Sequence, residues 1–108
     1  MSQDYLGEFE QMVLLSIMRL GNDAYGLAIK DELEAVAARS PSSGGLYTTL
    51  DRMETKGLVE SYAGEGTLER GGRPRRYVRV TREGQVLLAS SRNRLMALWD
   101  GIEEALNR

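Results

Sequence analysis

The chain contains no cysteine and no histidine in its 108 residues. Without cysteine, disulfides, thiol nucleophiles and thiolate zinc sites are excluded. Without histidine, the commonest base and metal ligand near neutral pH is missing too. Carboxylates remain, but none are paired at a spacing that calls for acid–base work or a metal ion. No enzyme activity, cofactor or metal is expected. No apolar run approaches the roughly 20 residues of a membrane span. The opening stretch MSQDYLGEFE is acidic and lacks the regions of a signal peptide. These absences predict a cytoplasmic protein that does not engage a membrane.

What is present suits an ordered fold. Hydrophobic residues make up 42% and charged residues 28% of a single 12.0 kDa domain. The net charge of −2 conceals an uneven distribution. Residues 1–41 and 42–69 are both acidic on balance, whereas 70–82 hold six arginines and no acid. Contacts with phosphate are decided by such local patches rather than by the total.

The stretch Ser42–Lys56, SSGGLYTTLDRMETK, predicts a helix with a small-residue entrance. Leu46, Leu50 and Met53 form one stripe at helical spacing, Ser42 or Ser43 caps the start, and Gly57 closes the end. Upstream, Leu6–Leu20 predicts a first helix with Phe9, Val13, Ile17 and Leu20 on one face and Leu14 and Met18 on another. That breadth fits either a central buried helix or one partly covered by a second subunit. A second helix, from Tyr25 to Ala38, is expected to turn Leu27, Ile29, Leu33, Val36 and Ala37 inward, with Asn22 or Asp23 as its cap. Two helices, a short turn and a glycine-led third make a helix-turn-helix.

Behind these helices, Leu58–Glu65 alternates imperfectly and Tyr77–Val80 alternates cleanly, so two short strands flank a polar, glycine-rich loop. Such a hairpin following a helix-turn-helix is a wing. Thr81 then caps a last helix of about 25 residues on which Leu88, Leu95, Trp99, Ile102 and Leu106 form a nearly heptad seam. Its apolar face exceeds what the chain itself can cover, which predicts a homodimer. The expected class is mainly α with a small two-stranded β-wing. It divides into a winged helix-turn-helix DNA-binding domain at 1–80 and a long C-terminal dimerisation helix at 81–108.

The chemistry points to double-stranded DNA. Free N–H groups at Ser42, Ser43 and Gly44 attract a phosphate. Thr48 and Ser43 suit base edges or a thymine methyl, and Tyr47 suits a phosphate or a place under the wing. Arg52 suits the backbone or a carboxylate on its own helix. Arg70, Arg73, Arg75 and Arg76 present guanidinium forks to phosphate or the minor groove. Asp51 and Glu54 are unfavourable near DNA and limit how far the helix enters.

Three motifs in this order carry a resemblance: LGEFEQMVLLSIMRLGNDAYGLAIKDEL, GGLYTTLDRMETKGLV and RGGRPRRYVRVTREGQ. Together they resemble the PadR family of bacterial winged-helix regulators across about residues 5–90, with Met53 where the family usually has leucine. The resemblance implies a homodimer binding a palindromic operator, usually as a repressor, with the third helix in the major groove. It also implies the small type with one C-terminal helix. Certain small members bind flat aromatic drugs at the dimer centre through a tryptophan on that helix. Trp99, the only tryptophan, is the matching candidate for such an effector, although a heptad-like tryptophan also serves as interface core. The alternative function is a small-molecule-binding or protein-interaction module on the same scaffold.

Overall fold

The computed structural model describes residues 5–64 and 75–107. Helix α1 (Glu8–Leu20) runs into a 3-10 turn at Gly21–Asp23, then α2 (Gly26–Ala37) and α3 (Ser43–Thr55). Strands β1 (Val59–Ala63) and β2 (Arg76–Val80) follow, then α4 (Arg82–Trp99) and a short α5 (Glu103–Leu106). The strands pair antiparallel, with Val59 opposite Val80 and Ala63 opposite Arg76. This is the expected winged helix-turn-helix: mainly α, with a two-stranded wing.

The core lies where the apolar stripes of the helices meet the inner face of the wing. Val13, Leu14 and Ile17 of α1 pack with Ile29 and Leu33 of α2, Leu46, Leu50 and Met53 of α3, and Val59, Val78 and Val80 of the strands. Each large apolar side chain buried in this way contributes about 1.5–3 kcal/mol. The 4-and-3 stripe of α3 is fully inside, as its spacing predicts.

Helix α2 departs from expectation on two counts. Its buried stripe is Gly26, Ile29 and Leu33, so Leu27 and Val36 point outward at 61% and 59% exposure, and Ala37 is exposed with them. One residue along a helix is a rotation of about 100°, which takes Leu27 off the face that Gly26 occupies. The N-cap is Tyr25, with no side-chain cap, because Asn22 and Asp23 are already used in the 3-10 turn. Extended backbone at Tyr25 bridges to Tyr77, and the Val78 N–H donates to Ala24 O at 2.9 Å. The segment before α2 therefore ties the helix-turn-helix to the wing.

The end of α3 is locked by a Schellman pair, Leu58 N–H to Met53 O at 2.9 Å and Gly57 N–H to Glu54 O at 3.0 Å. Thr81 caps α4 as predicted, accepting from Gly84 N–H at 3.1 Å, and its hydroxyl donates to Gly57 O at 2.6 Å. The wing thus starts and ends beside the last turn of α3.

The single 25-residue C-terminal helix is not observed. After 18 residues α4 stops at Trp99, Asp100 is extended, and Gly101 takes a φ of 81°. A left-handed residue cannot continue a right-handed helix, so Ile102 and Leu106 lie beyond a break in the seam. Leu88 sits in the core of its own chain, whereas every described residue after Ser91 is exposed.

Candidate nucleic-acid interface

The tip of α3 is assembled from backbone donors and small side chains. Ser42 is the N-cap, and its Oγ accepts from Gly45 N–H at 2.9 Å, which leaves the neighbouring N–H groups of the first turn unsatisfied by side chains of the cap. Ser43, Gly44 and Thr48 are exposed. Lys30 of α2 reaches the same tip, with Nζ 3.4 Å from Ser43 Oγ. A helix N-terminus, hydroxyls and an ammonium group converge there, a combination that favours an anion. Tyr47 is 41% exposed and lies against the start of α2. A Cβ on Gly26 would fall 2.1 Å from the Tyr47 hydroxyl, so the glycine of the Tyr25-Gly26 pair makes room for this ring. Tyr47 therefore packs on α2, not under the wing.

The other half of α3 carries charges, and each has a partner. Arg52 Nε and Lys56 Nζ are both 3.4 Å from Glu10 Oε2 at the start of α1. Glu10 is buried, and its Oε1 accepts from Gly7 N–H at 3.0 Å. Burial acts to raise the Glu10 pKa, but the Gly7 amide, Lys56 and Arg52 outweigh it and hold the carboxyl below its ordinary range. On the other flank, Asp51 and Glu54 face Arg76 of β2 at 3.1 and 2.9 Å.

The described wing arginines are engaged as well. The Arg75 guanidinium lies 4.1 Å from the ring centroid of Tyr25. Arg79 pairs with Glu60 at 2.8 Å and covers the ring of Tyr62 at 4.5 Å. Tyr25 and Tyr62 both pack on Tyr77, edge-on at 5.6 Å and stacked at 5.7 Å. Three tyrosines thus form the base of the wing with two arginines against them. Arg70 and Arg73 lie outside the described residues.

A second surface lies between α1 and α4. Leu15, Met18, Leu95, Met96 and Trp99 line a groove of about 500 Å³, with Leu88 at its base and Gln11 and Arg92 at its edge. Leu98 and Ile102 flank Trp99 on the other side, and Leu106 is exposed beyond them.

The transcriptional regulator PadR-like family model matches residues 14–90 of the chain. The protein belongs to the PadR-like family. Among solved structures, a PadR family regulator from Eggerthella lenta is 30% identical over 92% of this chain and 86% of its own, with a TM-score of 0.67. A PadR family regulator from Clostridium difficile is 27% identical, covers 92% and 95%, and has a TM-score of 0.63. A transcriptional regulator from Clostridium thermocellum shares the fold at 23% identity, with coverage of 88% and 89% and a TM-score of 0.69. No curated protein matches the chain.

As a PadR-like protein it is a winged helix-turn-helix DNA-binding regulator and not an enzyme. Among the described residues, no group of histidine, cysteine, aspartate or glutamate is arranged to hold a metal ion. No helix among them is long and apolar enough to cross a membrane. The residues that sequence reasoning overlooked are mostly partners: Glu10, Tyr25, Lys30, Glu60 and Ser61. Glu10 carries the faint mark of a capping box, three residues after the N-cap, but glycine at position 7 hides it. Nothing local marks the other four, whose partners are mostly far away in the chain.

Proposed function

We propose that this PadR-like regulator is a homodimeric repressor that binds a palindromic operator, with residues 1–80 contacting DNA and 81–108 contributing to the dimer. One observation carries the reading. The Ser42–Thr48 end of α3 is exposed, free of acids and joined by Lys30, while the acids of α3 are occupied elsewhere. Ser42, Ser43 and Gly44 would take a phosphate, and Thr48 and Ser43 would meet base edges in the major groove. Tyr47 is placed to donate its hydroxyl to the backbone. Arg52 is tethered to Glu10 but remains half exposed and flanks the same strand. Arg70, Arg73 and Arg75 of the wing supply the sequence-independent attraction.

The dimer reading rests on the α1–α4 groove, because a second copy covers Leu95, Trp99, Ile102 and Leu106 without needing another partner. A two-fold dimer reads two inverted half-sites. Selection of bound duplexes from a random pool should enrich an inverted repeat, and sedimentation at micromolar concentration should give a dimer. A pool without enrichment, or a stable 12 kDa species, would overturn the reading. In the selected duplex, Arg73→Ala and Arg75→Ala should each lower the salt slope by about 0.9 if they neutralise a phosphate.

A second reading is favoured by Trp99, which is 37% exposed within the groove. A flat aromatic effector stacked there would quench its fluorescence and change operator affinity together. Quenching without any change in affinity would remove the regulatory role.

A further inference from the structure

One arginine of the basic run is committed inside the molecule. Arg76 opens β2, yet its side chain reaches across to α3. Its Nη2 lies 2.9 Å from Glu54 Oε1 and 3.1 Å from Asp51 Oδ1, and its Nε donates to Ser61 Oγ at 2.9 Å. Glu54 completes the node from the other side. Its Oε1 accepts the Ser61 hydroxyl at 2.8 Å and its Oε2 accepts the Ser61 backbone N–H at 3.2 Å. One carboxylate of α3 therefore holds the main chain of β1, a side chain of β1 and the guanidinium of β2.

The charge arithmetic separates Arg76 from the other wing arginines. Arg76 with Asp51 and Glu54 sums to −1, so the group as a whole repels a phosphate. Removing the guanidinium would leave two carboxylates one helical turn apart, an unfavourable pair. The hydrogen bonds from Ser61, with Arg76 beside them, hold the Glu54 carboxyl below its ordinary range, so it stays ionised in neutral solution. A planar fork can meet Glu54, Asp51 and Ser61 together, and an ammonium group cannot.

We propose that Glu54 and Arg76 are positioning residues that set the wing against the recognition helix, and that Arg76 is not a phosphate contact. The node lies between the two elements that must meet one half-site, and its fork geometry fixes their relative placement. Specificity then depends on residues that do not touch DNA. This inference rests on the DNA-binding reading above.

The test uses the full chain, a duplex selected by the wild type, and a scrambled duplex of equal length. Anisotropy titrations over a series of salt concentrations compare the wild type with Glu54→Gln, Arg76→Lys and Ser61→Ala. Glu54→Gln removes a negative charge, yet it should weaken the selected duplex about tenfold, within the range of a lost base contact. Scrambled binding should stay within about twofold, because the phosphate term is untouched. Arg76→Lys keeps the charge and should show the same selective loss with an unchanged salt slope. Ser61→Ala changes no charge and should lose selectivity to a smaller degree, which keeps the test decisive if a charged-site variant folds poorly. Tighter binding of both duplexes by Glu54→Gln, with Arg76→Lys behaving as wild type, would overturn the proposal. A wild type that binds neither duplex would instead overturn the DNA-binding reading, and this inference with it.

Discussion

The two halves of α3 are built for different tasks, although they belong to one 13-residue helix. From Ser43 to Thr48 the outward side chains are small or uncharged and none is paired to a carboxylate. From Asp51 to Lys56 four charged side chains are all engaged, two with Glu10 of α1 and two with Arg76 of the wing. One half is free to meet another molecule; the other half is clamped between two neighbouring elements. A recognition helix must be both available and held rigidly, and here those demands are separated along its length. The difference also explains why acids are tolerated on a helix that approaches DNA. They are placed where they bind protein instead.

The comparison breaks most sharply in the buried stripe. Met53→Ala in the clamped half should cost about 2–5 kcal/mol in urea denaturation, through the cavity it leaves. Thr48→Ala in the free half should stay within about 0.5 kcal/mol, since it removes an exposed side chain. Equal losses from the two would show that the halves are not distinct.

Next in size is the clamp itself. Glu10→Gln should cost about 1–3 kcal/mol, because a buried charged acceptor loses its partners. The sign of the pH dependence follows from the depressed pKa of Glu10 in the folded state. Its contribution is present above about pH 4.3 and is lost as pH falls through the lower folded value. Wild-type stability measured down the acid range should therefore fall more steeply than that of Glu10→Gln. Glu54, also depressed, leaves the variant a residual slope of the same sign. Parallel curves would remove Glu10 from the clamp.

The smallest stability effect belongs to the free tip. Ser42→Ala removes the cap on Gly45 N–H and should cost about 1 kcal/mol in thermal or urea unfolding. The same substitution exposes one more backbone donor at the proposed phosphate site. Its operator affinity should consequently change less than its stability.

The fold was largely legible because its signals are local. Leu46, Leu50 and Met53 are spaced for a helix stripe, Val78 and Val80 for a strand face, and Ser42 and Thr81 for caps, and all are found in those roles. The errors came where a local signal was ambiguous. Leu27 is apolar and helical, but a one-residue difference in the face of α2 puts it outside. The seam through Leu95, Trp99 and Ile102 continued on paper, whereas Asp100-Gly101 interrupts it in space. The site was legible only as a list of residue types. An arginine run reads as uniformly basic, and nothing in RGGRPRRYVRV separates Arg75 on Tyr25 from Arg76 on two carboxylates.

By itself the sequence determined the order and kind of the elements, the absence of thiol and imidazole chemistry, and the family. Periodicity and capping act over a few residues and need no partner to be read. Only the tertiary structure decided which charges are satisfied within the chain and which remain for another molecule. Glu10 meets Lys56 across 46 positions, and Arg76 meets Glu54 across 22. Pairing over such separations depends on how the helices and wing pack, so the division of α3 into a free half and a clamped half exists only in three dimensions.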